Sequence, residues 1–245
     1  MAEPARSIVA LEAHPDDVEL GCLGTLAAYR AQRPETSITI AALTLGDRGS
    51  AVDPTKTPDD ISQEREREAT SVATALEADF RFLGQKDCFT DDAPDAAGTE
   101  AFVRLLREVR ADLVLAPPPA DYHRDHMVAS RIAEHACMLA TVPTLFRDAT
   151  PLTQSPQLLY MDPITGLGAD PSVYIDITEV FERKCELLRL HASQMASMQK
   201  WGGWDLVEYG EIMGRYRGLQ SGVAYAEAFT PSRAWPRLRT EARLP

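Results

Sequence analysis

The chain begins with an apolar run, SIVALEA at residues 7–13, and then changes period. VELGCLGTLAAYRAQ at 18–32 sets its apolar residues at helical spacing, and SITIAALTL at 37–45 is a second apolar run ending at Gly46-Asp47. Strand, helix and strand in that order predict a βαβ unit, because parallel strands need a crossover long enough to hold a helix. A Pro/Asp/Thr-rich loop at 52–60 leads into ISQEREREATSVATALEAD at 61–79, charged on one side and Ala/Val/Leu on the other, and then a short strand DFRFLG at 79–84. TEAFVRLLREVR at 99–110 reads as an amphipathic helix and ADLVLAPPP at 111–119 as a buried strand stopped by its prolines. MVASRIAEHACMLA at 127–140 is helical, PQLLYMDP at 156–163 and SVYIDIT at 172–178 are strand-like, and EVFERKCELLRLHASQ at 179–194 reads as one helix with Thr178 as N-cap.

This alternation predicts an α/β fold with a mostly parallel sheet covered on both faces. No repeat or linker divides the chain, so residues 1–245 read as a single domain, with 195–230 an irregular cap or interface segment. Trp201-Gly-Gly-Trp204 and the aromatic residues after it, Tyr209, Tyr216 and Tyr225, fit a wall or a subunit contact, with sugar stacking as the sharper alternative.

Composition narrows the class. A hydrophobic content of 44% over 245 residues supports a sizeable core, and a net charge of −12 argues against a nucleic-acid partner. No run reaches the roughly 20 apolar residues of a membrane span and the start MAEPARS lacks a secretory apolar region, so a cytoplasmic protein is expected. Cys22, Cys88, Cys137 and Cys185 form no CxxC pair and read as reduced, mostly buried thiols.

Ligands of open α/β sheets sit beyond the carboxyl ends of strands, and two polar clusters fall there. EAHPDD follows the first strand and DYHRDH follows ADLVLAPPP. His14 and Asp17 are spaced i,i+3, as are His123 and His126, with Asp125 beside the latter. Brought together, such pairs would form a His/Asp/His centre with a coordination position open to water. Each motif also has a plainer reading: Asp16 with Glu19 suits a capping box, and an HxxH pair at a helix start is commonly solvated. Two such motifs at strand ends of one sheet favour the centre. His135 reads as structural, and so, by a smaller margin, does His191.

With these motifs, the chain resembles the LmbE-like (PIG-L) family of metal-dependent N-deacetylases. The resemblance is carried by AHPDDVELGCLGTLA, LTLGDRG, Arg65-x-x-Glu68-Ala69, FLGQKD, DYHRDH, KCELLRLHASQ and RGLQSGVAYAEAF. It implies a Rossmann-like three-layer sandwich and one divalent cation, zinc or alternatively iron, held by His14, Asp17 and His126. It further implies Asp16 as general base, His123 as the polarising or acid group, with Asp125 steadying an imidazole, and Arg65 as a substrate contact, with Arg67 as the competing position. The implied substrate is a small N-acetylated sugar or glycoconjugate, and homo-oligomers are expected. Where the family pattern has Leu-Gly, this chain has Leu76-Glu77. The rival readings are an amidase for a larger conjugate and a non-hydrolytic Rossmann nucleotide-binding protein using Glu12, Gly21 and Gly24.

Overall fold

The structure is a computed structural model that describes residues 5–49, 52–88 and 94–234. Seven strands form one sheet: β1 (Ser7–Glu12), β2 (Ser37–Ala42), β3 (Asp79–Phe82), β4 (Leu113–Ala116), β5 (Gln157–Met161), β6 (Val173–Asp176) and β7 (Ala226–Pro231), in the order β3-β2-β1-β4-β5-β7-β6. The first five are parallel, and β7 runs antiparallel between β5 and β6. Every residue of β1 is buried, as a central strand with both faces covered requires.

Successive strand residues face opposite ways and feed two cores. Ile8, Ala10, Leu113 and Leu115 pack with α1 (Asp17–Gly21), α2 (Leu23–Gln32) and α6 (Phe181–Leu188). Val9, Leu11, Val114 and Ala116 pack with α4 (Pro94–Glu108) and α5 (Arg124–Leu139). The mostly parallel three-layer sandwich expected from the sequence is therefore present.

Three differences from the sequence pattern bear on function. The 18–32 helix is two helices, parted at Cys22 (φ −150°). Gly21 and Gly24 lie against neighbours too close for a side chain: an added Cβ would meet Met161 Sδ at 2.7 Å and Ile177 Cδ1 at 2.8 Å. These glycines serve packing, which removes the phosphate-turn reading.

Secondly, the helix expected at 179–194 breaks. Thr178 starts a 3₁₀ turn instead of capping, α6 ends at Leu188, and α7 (Ala192–Gly202) begins after His191.

Thirdly, residues 195–230 are regular. They complete α7 and form α8 (Leu206–Ser221) and β7. Asp205 caps α8, its Oδ1 accepting from the Val207 and Glu208 amides at 2.9 Å. Gly210, Gly214 and Gly218 repeat every four residues, so α8 approaches Leu188, Tyr225 and the Val223–Ala224 backbone closely. The arginine-bearing stretch from Arg233 to Arg243 runs past Ala234, outside the described residues.

Candidate metal centre

The chain runs from β1 to β2 and β3 on one side, then returns to the other side of β1 to form β4. The carboxyl ends of β1 and β4 thus border the crevice at the switch point of the sheet. The β1–α1 loop brings His14 and Asp16 there and the start of α1 brings Asp17, while the β4–α5 loop brings Asp121 and His123 and the first turn of α5 brings Asp125 and His126.

One nitrogen from each of His14, His123 and His126 lies within 4.8 Å of the others. Asp17 sits between two of them: one carboxylate oxygen is 3.1 Å from His126 Nε2 and the other 3.6 Å from His14 Nδ1. The latter oxygen also accepts the Ala13 and His14 amides at 3.0 and 2.9 Å, which fixes the carboxylate. The remaining ring nitrogens meet other carboxylates: His14 Nε2 lies 3.1 Å from Asp87 and 3.2 Å from Asp125, and His126 Nδ1 lies 3.2 Å from Asp121. A carboxylate behind each imidazole fixes its tautomer and raises its basicity, as in known metal sites.

The charge balance of these contacts bears on fit as well. Burial opposes protonation of His14, yet its bonds to Asp125, Asp17 and Asp87 outweigh this and hold it well above the usual histidine range. Burial likewise opposes His126, but Asp17 and Asp121 push it up to about 10. Conversely, Asp17 stays well below the carboxylate range despite its burial, because both imidazoles favour its charge. A site that draws protons onto its histidines is one short of positive charge, and a divalent cation held by His14, Asp17 and His126 answers that need.

Asp16 is built differently. Its backbone stands at φ 129°, where L side chains are strained by about 1–3 kcal/mol, a conformation that persists only when neighbours enforce it. Arg65 does so from α3 (Pro58–Ala75): it is buried, and its Nη2 donates to Asp16 Oδ1 at 3.0 Å and to Pro15 O at 2.5 Å, while Nη1 donates to Gly46 O at 3.2 Å. Burial lifts the Asp16 carboxyl to about 6, with Arg65 opposing the rise. The capping box is absent: Asp16 makes no side-chain cap, and Glu19 is wholly buried, 3.0 Å from His191 Nε2. Arg67 is exposed and bonds its own helix at Gln63 O, so Arg65 is the arginine at the site, engaged with the Asp16 loop.

His123 is the N-cap of α5, its Nδ1 accepting the Asp125 amide at 3.2 Å. Burial, then His14 and His126, push it below the usual histidine range. With Nδ1 accepting the Asp125 amide, Nε2 is the nitrogen left to face the site. The imidazole that the Asp125 carboxylate meets is that of His14.

Asp87, Asp121 and Cys88 are site residues that the residue patterns did not single out. Asp121 lay unremarked within DYHRDH, and FLGQKD carried Asp87 without assigning it a role. Cys88, at φ 57° in the site wall, is the exposed exception among four cysteines. His135 is exposed on α5, so it supports no core contact. The centre lines a cavity of about 210 Å³ whose opposite side carries Ile164, Gln194, Met198 and Trp201. A larger cavity of about 540 Å³ beside Pro118 and Tyr160 is lined by no histidine.

Fold and site together define an α/β protein with a histidine–carboxylate centre at the switch point of its sheet. The family model for PIG-L, GlcNAc-PI de-N-acetylase, matches residues 9–137, just over half the chain, and the chain belongs to that family. A 1D-myo-inositol 2-acetamido-2-deoxy-alpha-D-glucopyranoside deacetylase 1 of Frankia casuarinae is 33% identical over 184 residues, covering 64% of this chain and 59% of that protein. Across the first relatives of that kind, the match spans between half and three-fifths of their length. The crystal structure of conserved protein TT1542 from Thermus thermophilus is 32% identical, with a TM-score of 0.75 over 95% of this chain and 99% of that one. A 4-carboxy-2-hydroxymuconate hydratase, GalB of Pseudomonas putida, has a TM-score of 0.80 at 21% identity over 97% and 99% of the chains. That likeness concerns the fold alone, and it means that the reaction must be argued from the site.

Proposed function

We propose that this chain is a metal-dependent N-deacetylase that hydrolyses the N-acetyl amide of a small sugar or glycoconjugate to acetate and a free amine. The observation that carries the reading is the buried Asp16, held by Arg65 beside the His14, Asp17 and His126 cluster. Those three residues would hold the cation, zinc foremost and iron as the alternative. When bound, it supplies a Lewis acid that brings the pKa of water toward neutrality.

The protein's own groups do the rest. Asp16, raised to about 6, is matched to accept a proton from the attacking water near neutral pH and to return it to the departing amine. His123, whose Nδ1 is occupied by the Asp125 amide, directs Nε2–H at the amide oxygen as negative charge develops there. Asp87, Asp125 and Asp121 keep His14 and His126 oriented.

A cytoplasmic setting and self-association belong to the same reading. No helix among the described residues is long and apolar enough to cross a membrane, and α8 exposes Ile212, Tyr216 and Leu219 along one face. The test is a screen of N-acetylated sugars and glycosides, following acetate and amine release with and without chelator. Chelator-sensitive release of both products supports the proposal; failure to release acetate from any of them refutes it.

A further inference from the structure

The sequence left Trp201 and Trp204 as an undivided pair, and the fold separates them. Trp204 packs on Tyr209, with ring centroids 5.6 Å apart, and a Cβ on Gly202 would lie 2.3 Å from its Nε1. Gly203, at φ 72°, ends α7 in the left-handed conformation and lets the two indoles part. Trp201 remains 64% exposed at the lip of the catalytic cavity.

Its placement is fixed from the other end of α7. His191 is fully buried against Glu19; the Ser193 amide and hydroxyl donate to Glu68 at 2.8 and 2.6 Å; and Gln194 Nε2 donates to Gly49 O at 3.2 Å. Gln194, Met198 and Trp201 follow at i, i+4 and i+7, one helical stripe, and all three face the cavity. Tyr122 is also exposed there, but its ring stands edge-on to His123 and His126, at 5.8 and 6.0 Å. A pinned helix therefore places one large, exposed indole at the rim of the cavity.

We infer that Trp201 is the platform on which the sugar ring bearing the acylated amine stacks, making the α7 wall a determinant of substrate preference. A pyranose has an apolar C–H face and a rim of hydroxyls. Stacked on an indole at the lip, it keeps those hydroxyls in water while its acetamido group reaches down toward Asp16. This rests on the deacetylase reading, which supplies the acetamido group.

The experiment compares wild type, Trp201→Ala and Trp201→Phe on an N-acetylglucosamine glycoside and on acyclic N-acetylethanolamine. Thermal unfolding is followed alongside, and protein fluorescence is titrated with N-acetylglucosamine. Trp201→Ala should raise KM for the glycoside about two- to tenfold, the range of an aromatic stacking contact, with Phe recovering part of it and the acyclic amide changing less than twofold. An unchanged glycoside KM, or equal losses on both amides, overturns the platform. Should wild type hydrolyse neither amide, that failure counts against the deacetylase reading, which the screen decides, and fluorescence alone decides the platform. Sugar-dependent quenching present in wild type and absent in Trp201→Ala upholds the platform, and its absence in both overturns it.

Discussion

Replacing Arg65 by Met keeps the aliphatic stem and removes a guanidinium that donates to Asp16, Pro15 O and Gly46 O in a buried setting. Breaking one side of a buried ion pair costs about 3–5 kcal/mol, because the remaining charge is left without compensation. For a domain of this size each kcal/mol moves the midpoint by about 2–4 °C, so Tm should fall by roughly 6–20 °C. Activity should change in a specific direction as well. Burial raises the Asp16 carboxyl to about 6 and Arg65 opposes that rise, so removing Arg65 raises it further. A general base works when ionised and is lost as pH falls through its pKa; the acid limb of the kcat/KM profile should therefore move to higher pH in Arg65→Met. Differential scanning fluorimetry and a pH series of initial rates measure both. A variant within about 3 °C of wild type, with an unmoved acid limb and only a raised KM, would show that Arg65 contacts substrate and that the positioning argument is wrong.

Two further outcomes follow from buried ion pairs. Glu227 on β7 accepts the Gly24 and Thr25 amides and faces Lys184 Nζ at 2.6 Å, so Glu227→Ala should cost about 3–5 kcal/mol in denaturant unfolding, whereas a loss under about 1 kcal/mol would contradict that role. Burial opposes the charges of both His191 and Glu19, yet each partner favours the other's, raising His191 and lowering Glu19. Stability from Glu19 is lost as pH falls through its folded pKa, and that from His191 is lost as pH rises through its own. The Tm difference between wild type and His191→Asn should thus be largest between about pH 4 and about pH 6.5 and shrink above it; a difference that is flat to pH 9 would refute the pairing.

The candidate site residues were legible because each pair sits in a short motif directly after an apolar strand, where chain position and spatial position nearly coincide. Glu19 was misread for the same reason: three residues after Asp16 it mimics a capping box, but the φ of 129° at Asp16 turns that geometry away, and its partner His191 is distant in sequence. The break before α7 was hidden because the helical period continues through Leu187, Leu188 and His191, while the contacts that stop the helix come from α1 and α3. In α8 the recurring glycines weaken the helical signal, and its close packing gives them a reason. β7 carries small alanines and a buried Glu227, a weak strand signal that depends on Lys184 and the start of α2 for its place in the sheet. Glu77, at φ 57°, holds the left-handed turn where the family pattern has glycine, and Arg30 Nη2 donates to its carbonyl at 2.8 Å.

The division of labour between adjacent aspartates is the centre of the account. Asp17→Asn and Asp16→Asn, purified in parallel, should be assayed for bound metal per chain and for acetate release from the substrate found in the screen. Asp17→Asn should lose metal and turnover together, whereas Asp16→Asn should keep the metal and lose turnover; equal metal loss in both, or full turnover in Asp16→Asn, would contradict it.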